Sequence, residues 1–115
     1  VFFEYFRGDK RTVDVLYEIG YDDLYLTAVT VAETYHGMHK KEKRRTTEEI
    51  NRFNLLHIDA TASAKFLDLM LGYYDKGLSV PDGLIAATCL THKAELFTRN
   101  RKDFDFIKGI KFFDP

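Results

Sequence analysis

An apolar run headed by one acid limits what this chain can fold into more than any other stretch. It reads Ser79-Val80-Pro81-Asp82-Gly83-Leu84-Ile85-Ala86-Ala87-Thr88-Cys89-Leu90. A helix with apolar side chains on nearly every face has no side to offer water, so it is buried. The chain must wrap around it and hold Asp82 at its mouth. A length of 115 residues suits a single domain over 1–115 with one core. The 45% hydrophobic content, rich in Phe and Tyr, fits a packed globule. No apolar run is long enough to span a bilayer, and no signal-peptide pattern appears. Cys89 is the single cysteine and lies inside the apolar run, so a disulfide framework is excluded and a reducing, cytoplasmic setting is the default. The net charge of -1 exerts no overall pull on nucleic acid. Any such contact must come from a local patch, and Lys40, Lys41, Lys43, Arg44 and Arg45, beside His39, form the best one.

The rest of the chain alternates strand and helix signals. Residues 1–7 read as a short helix stopped by Gly8, and Thr12 as the cap of a second with Val13, Leu16 and Tyr17 on one face and Gly20 as its end. Residues 24–29 read as a strand. The spacing from Thr30 to Glu33 is that of a capping box, predicting a helix from Thr30 toward Lys40. Thr46-Thr47-Glu48-Glu49 repeats the signal and opens a helix to about Phe53. A strand over 55–58 follows, then Asp59 as an N-cap. The next helix carries Ala64, Leu67, Leu71 and Tyr74 at three-to-four spacing and closes at Gly77. Strands at 95–98 and 111–113 complete the chain. Such alternation predicts an α/β fold with a mainly parallel sheet and helices on both faces. A further central strand is expected ahead of Val1.

Three acids occupy equivalent places in that scheme. Glu33 and Asp103 follow strands, and Asp82 begins the buried helix. Residues just beyond strand carboxyl ends share one crevice, where ligands bind. Carboxylates gathered there repel one another, and a hard divalent cation with oxygen ligands relieves the repulsion. Mg²⁺ or Mn²⁺ so held activates water for phosphodiester hydrolysis. Each acid also has a plainer explanation. Glu33, Asp82 and Asp103 each stand three residues after Thr30, Ser79 or Asn100, and acids in a first helical turn are favoured by the dipole. Glu33-x-x-His36 has the spacing of di-iron bundle ligands but occurs once where two copies are needed. His39, His57 and His92 lack partners at ligand spacing, Cys89 is a core residue, and no Gly-rich phosphate loop is present. A charge run such as 40–45 is most often a solvated face, and Tyr35 a core residue rather than a platform for a base.

Three segments together resemble the PIN-domain family, and most closely its VapC-type toxins. They are Leu26-Thr27-Ala28-Val29-Thr30-Val31-Ala32-Glu33, Pro81-Asp82-Gly83-Leu84-Ile85-Ala86-Ala87-Thr88, and Leu96-Phe97-Thr98-Arg99-Asn100-Arg101-Lys102-Asp103-Phe104. The resemblance implies a five-stranded parallel sheet between helices and a Mg²⁺- or Mn²⁺-dependent endoribonuclease. Glu33 and Asp82 would match its second and third acids, Asn100 its fourth polar position, and Asp103 the nearby carboxylate. Thr98 would orient these groups from behind. It further implies a homodimer, a small antitoxin as partner, and structured RNA such as tRNA or ribosomal RNA as substrate. The family begins with a strand ending in its first ligand Asp, whereas Val1 to Gly8 match the helix after it. The natural protein is therefore expected to carry residues upstream of Val1. Two rival functions are a PIN-like binding module that no longer cuts and a PIN nuclease of RNA processing.

Overall fold

A computed structural model describes Gly20 and residues 23–114. The helices expected over 1–7 and from Thr12 lie outside the described residues. The described chain runs through strand β1 (Tyr25–Thr27), helix α1 (Ala28–Gly37), helix α2 (Lys43–Ile50), strand β2 (Asn54–Leu56), helix α3 (Ala60–Tyr73) and helix α4 (Val80–Thr91). Short 3-10 turns occupy Lys40–Glu42, Tyr74–Lys76 and Arg101–Asp103.

Helix α4 is the buried element that the apolar run demands. Ile85, Ala86, Ala87, Thr88 and Cys89 are all buried along it. Ser79 starts it, because its Oγ accepts the Asp82 backbone N–H at 3.2 Å. Pro81 falls in the first turn, where a missing N–H costs no intrahelical bond. Within the core the Thr88 hydroxyl donates to the Leu84 carbonyl at 2.8 Å, so its burial leaves no polar group unmatched. Helix α3 packs along α4. Side chains of α3 reach α4 at Gly83, where an added Cβ would stand 2.6 Å from Met70 Sδ and 3.3 Å from Phe66 Cε1. Around this pair, Leu69, Leu78, Leu96, Phe104 and Ile107 close the core. Each large side chain so buried stabilises the fold by about 1.5–3 kcal/mol relative to exposure.

Strands β1 and β2 pair in parallel, Leu26 opposite Leu55. Leu24 and Leu26 point inward while Tyr25 between them is exposed, the period-two alternation of a strand with one wet face. The segments expected as strands at 95–98 and 111–113 meet in one parallel bridge, Leu96 with Phe112. Beyond Leu96 the chain leaves the ladder, because the Thr98 hydroxyl takes the Asn100 N–H and turns the backbone. The architecture is thus the expected α/β arrangement with parallel pairing, in shorter strands.

Several boundaries differ from the sequence expectation, each for a local reason. The first strand ends at Thr27 instead of Val29, since Thr27 Oγ1 accepts the Thr30 N–H at 3.2 Å and caps α1. Thr30 is therefore inside the helix, which stops at Gly37 rather than near Lys40. Helix α2 starts at Lys43, ahead of the Thr46 signal, and ends at Ile50. The Thr47 hydroxyl, expected near a helix start, instead bonds back to the Lys43 carbonyl at 2.9 Å. A reciprocal contact precedes α2, where Glu42 Oε1 accepts the His39 N–H at 3.1 Å. Strand β2 covers Asn54–Leu56 and stops before His57.

Asp59 caps α3 as expected, its Oδ1 accepting the Ala62 N–H at 2.8 Å. Gly77 ends the turn after α3 with φ 82, a left-handed value that glycine adopts without strain. The apolar stripe on α3 is the largest departure. Leu67, Leu71 and Tyr74 are 66%, 78% and 74% exposed, while Phe66, Leu69, Met70 and Tyr73 pack inward. Helix α3 has two apolar faces, and the packing against α4, at Gly83 among other places, selects the one carrying Phe66 and Met70. Tyr35, expected in the core, is 39% exposed. Among the described residues no helix is long and apolar enough to cross a membrane.

Candidate active site

The mouth of α4 concentrates the chemistry. Asp82 lies in its first turn, its backbone N–H already used by Ser79. Burial raises the Asp82 pKa above the usual carboxylate value; hydrogen bonding by Ser79 opposes that rise, and the negative charge of Asp103 adds to it. Asp103 is thus near enough for its charge to be felt at Asp82, although the two come from separate elements.

Asp103 is delivered by the turn Arg101–Asp103. Thr98 is buried and fixes the start of that turn, its Oγ1 accepting the Asn100 N–H at 3.1 Å. The Asp103 N–H then donates to the Asn100 carbonyl at 3.1 Å. Asn100 sits at the cap position without a side-chain capping bond, so its exposed amide remains available. Further along, the Arg101 guanidinium lies 5.0 Å from the Phe112 ring centroid, donates to the Phe113 carbonyl at 3.1 Å and pairs with Asp114. No motif in the sequence marks Arg101, because its partners are set by the return of the chain beside Leu96.

Glu33 occupies the middle of α1, on an exposed face of a helix that packs against α4. The capping-box reading of Glu33 does not hold, since α1 begins at Ala28 under Thr27. Among the described residues no three His, Cys, Asp or Glu side chains are grouped closely enough to hold one metal ion. The charge of Asp103 reaches Asp82, and Glu33 stands on the neighbouring helix that packs against α4. Two carboxylates that repel each other, one partly desolvated, have the donor chemistry a hard divalent cation takes.

Lys40, Lys41, Lys43, Arg44 and Arg45 are all exposed, on the turn before α2 and on its first residues. Arg44 pairs with Glu48 at 3.2 Å, but both groups are largely in water, where such a pair contributes little. His36 lies in the last turn of α1, a place where a cation suits the dipole. His92 does have partners: its Nε2 is 3.0 Å from the His57 carbonyl oxygen and 3.8 Å from Asp59 Oδ2. These contacts tie the end of α4 to the start of α3, a tertiary link with no sequence signature. Burial pushes the Cys89 thiol up to about 11, which keeps it protonated and unreactive.

Residues 1–109 match the family model described as the PIN domain. The chain is similar to the VapC ribonuclease Y4jK of Sinorhizobium fredii, 32% identical over 108 residues, covering 82% of this chain and 76% of the relative. It also resembles a toxin–antitoxin complex from Klebsiella pneumoniae, with 29% identity and a TM-score of 0.77 over 92% of this chain and 86% of that one. DNA-bound VapBC from Salmonella typhimurium shares the fold, with a TM-score of 0.82 at 18% identity over 94% of this chain and 87% of that one.

Proposed function

Since the chain belongs to the PIN-domain family and to its VapC type, we propose that it is the toxin of a toxin–antitoxin pair, an endoribonuclease that hydrolyses RNA phosphodiesters. The observation that carries this reading is the 32% identity to a VapC ribonuclease over most of the chain, and the negative charge of Asp103 felt at Asp82 agrees with it. Asp82 and Asp103 would hold a Mg²⁺ ion, or Mn²⁺ in its place, with Glu33 of the adjacent α1 as a third contributor. When bound, such an ion supplies an activated water and offsets charge that builds on the phosphate. The residues themselves hold and orient. Ser79 and the N-terminal turn of α4 fix Asp82. Thr98 fixes Asn100, whose free amide can donate to a phosphate oxygen. The exposed cations at Lys40, Lys41, Lys43, Arg44 and Arg45 would contact the RNA backbone without reading its bases, which suits recognition of structured tRNA or ribosomal RNA by shape.

Two protein partners follow from the same reading. The similar complex from Klebsiella pneumoniae contains an antitoxin, which supports a small antitoxin as partner here. The exposed stripe of Leu67, Leu71 and Tyr74 is the surface best suited to a homodimer, being apolar and without cover in the single chain. Leu71→Glu is then expected to convert a dimer to a monomer in sedimentation, with the same far-UV spectrum. A wild type that sediments as a monomer at all concentrations would refute the dimer. The setting proposed is the cytoplasm.

One observation favours a second reading, a PIN-like module that binds partners without cutting. Among the described residues no three His, Cys, Asp or Glu side chains form a group that could hold an ion. Calorimetric titration with Mn²⁺, run beside cleavage of total RNA, separates the two. Saturable binding with metal-dependent cleavage is the expected result. A folded chain that neither binds Mn²⁺ nor cuts RNA would assign it to the second reading.

A further inference from the structure

We propose that Arg101 is a positioning residue, tying the turn that bears Asp103 to residues 112–114 and thereby setting where that carboxylate stands. Its consequence for cleavage rests on the nuclease reading above; the tie itself rests on geometry alone. One guanidinium makes three contacts: the face of Phe112 at 5.0 Å, the Phe113 carbonyl at 3.1 Å and the carboxylate of Asp114. Those partners are themselves anchored. Phe112 is bridged to the fully buried Leu96, and the Phe113 ring packs against Phe97 with centroids 5.7 Å apart. The turn has fixed ends, at buried Thr98 and buried Phe104. Between them Asn100, Arg101, Lys102 and Asp103 are exposed, so side-chain burial holds none of the four in place. Arg101 gives that exposed stretch a lateral anchor. Only a planar guanidinium can stack on a ring and donate in its own plane at once, so lysine is a poor substitute.

The competing role for an exposed arginine here is direct contact with an RNA phosphate, and the two roles predict different measurements. Amide exchange should be followed by NMR on the full chain and on Arg101→Ala and Arg101→Lys, with steady-state cleavage in parallel. In Arg101→Ala the amides of Asp103 and Phe104, bonded to the Asn100 and Arg101 carbonyls, should exchange roughly tenfold faster while those of α4 are unchanged. The kcat should fall roughly tenfold to a hundredfold with KM nearly constant, as for a small displacement of a reacting group. Arg101→Lys should recover only part of both effects. Phe112→Leu, which keeps the backbone bridge and removes the ring face, should loosen the same two amides. Unchanged exchange in Arg101→Ala, with KM raised instead, would overturn the proposal and make Arg101 an RNA contact. Faster exchange in a chain whose wild type cuts no RNA would uphold the tie and remove the nuclease reading.

Discussion

Asp82→Asn is expected to leave the chain folded and lower RNA cleavage by roughly a thousandfold, the scale seen when one preorganised polar group is removed from a reacting centre. The electrostatics of Asp82 make this substitution informative beyond activity. Its pKa is raised in the folded chain, chiefly by burial and further by Asp103. A carboxyl with a raised folded pKa binds a proton more readily folded than unfolded. Stability therefore falls as pH rises from the ordinary carboxylate value through the raised one, and at neutral pH the whole penalty is present. Asparagine removes that charge, so the melting temperature of Asp82→Asn at pH 7 should be equal to or above that of the wild type. A residue kept for helix capping would show the reverse. The decisive measurement pairs thermal unfolding with cleavage, and retention of full cleavage would remove Asp82 from the mechanism.

The largest effect on stability is expected from Ile85→Ala. Ile85 is 1% exposed in the cluster formed by α3, α4 and the segment after them. Truncation there loses burial and leaves a cavity that the close α3–α4 contact cannot collapse around, for a cost of about 2–5 kcal/mol. A domain of this size has about 5–15 kcal/mol in total. The melting temperature should drop by roughly 10 °C or more, measured by circular dichroism. A shift of a degree or two would mean that α4 is not the centre of the core.

Helix α4 could be read from sequence because its pattern admits one environment: apolar groups on every side leave no orientation to choose. Asp59 and Gly77 were equally legible, since a side chain that accepts a nearby N–H, or a backbone that turns left-handed, acts within a few residues. Thr30 and Thr46 show where local spacing misleads. A threonine inside a helix gives the same spacing as one that caps it, and the true cap at Thr27 is set by where β1 ends. The face of α3 was not legible at all. Leu67 and Leu71 are as periodic as Phe66 and Met70, and the packing against α4, at Gly83 among other places, distinguishes them. The site divides the same way. The acids could be nominated one by one from helix starts, but the nearness of Asp82 to Asp103 and the three contacts of Arg101 are tertiary facts. The contacts of Arg101 depend on residues 111–114 returning beside Leu96.

Gly83 brings a consequence for how this protein tolerates genetic drift. It follows the acid directly, and a methyl group on it would meet Met70 Sδ at 2.6 Å. Every other amino acid is at least that large, so every missense change at this codon forces α3 away from α4 or Met70 into another rotamer. In a saturation screen the loss at Gly83 should therefore grow with side-chain size. The flexible end of Met70 can swing away from a methyl group, while larger groups also press on Phe66. At Asp82, by contrast, every change should be costly to cleavage. The two can be told apart by compensation: a smaller residue at position 70 should restore a Gly83→Ala chain, and no neighbour should restore Asp82→Asn.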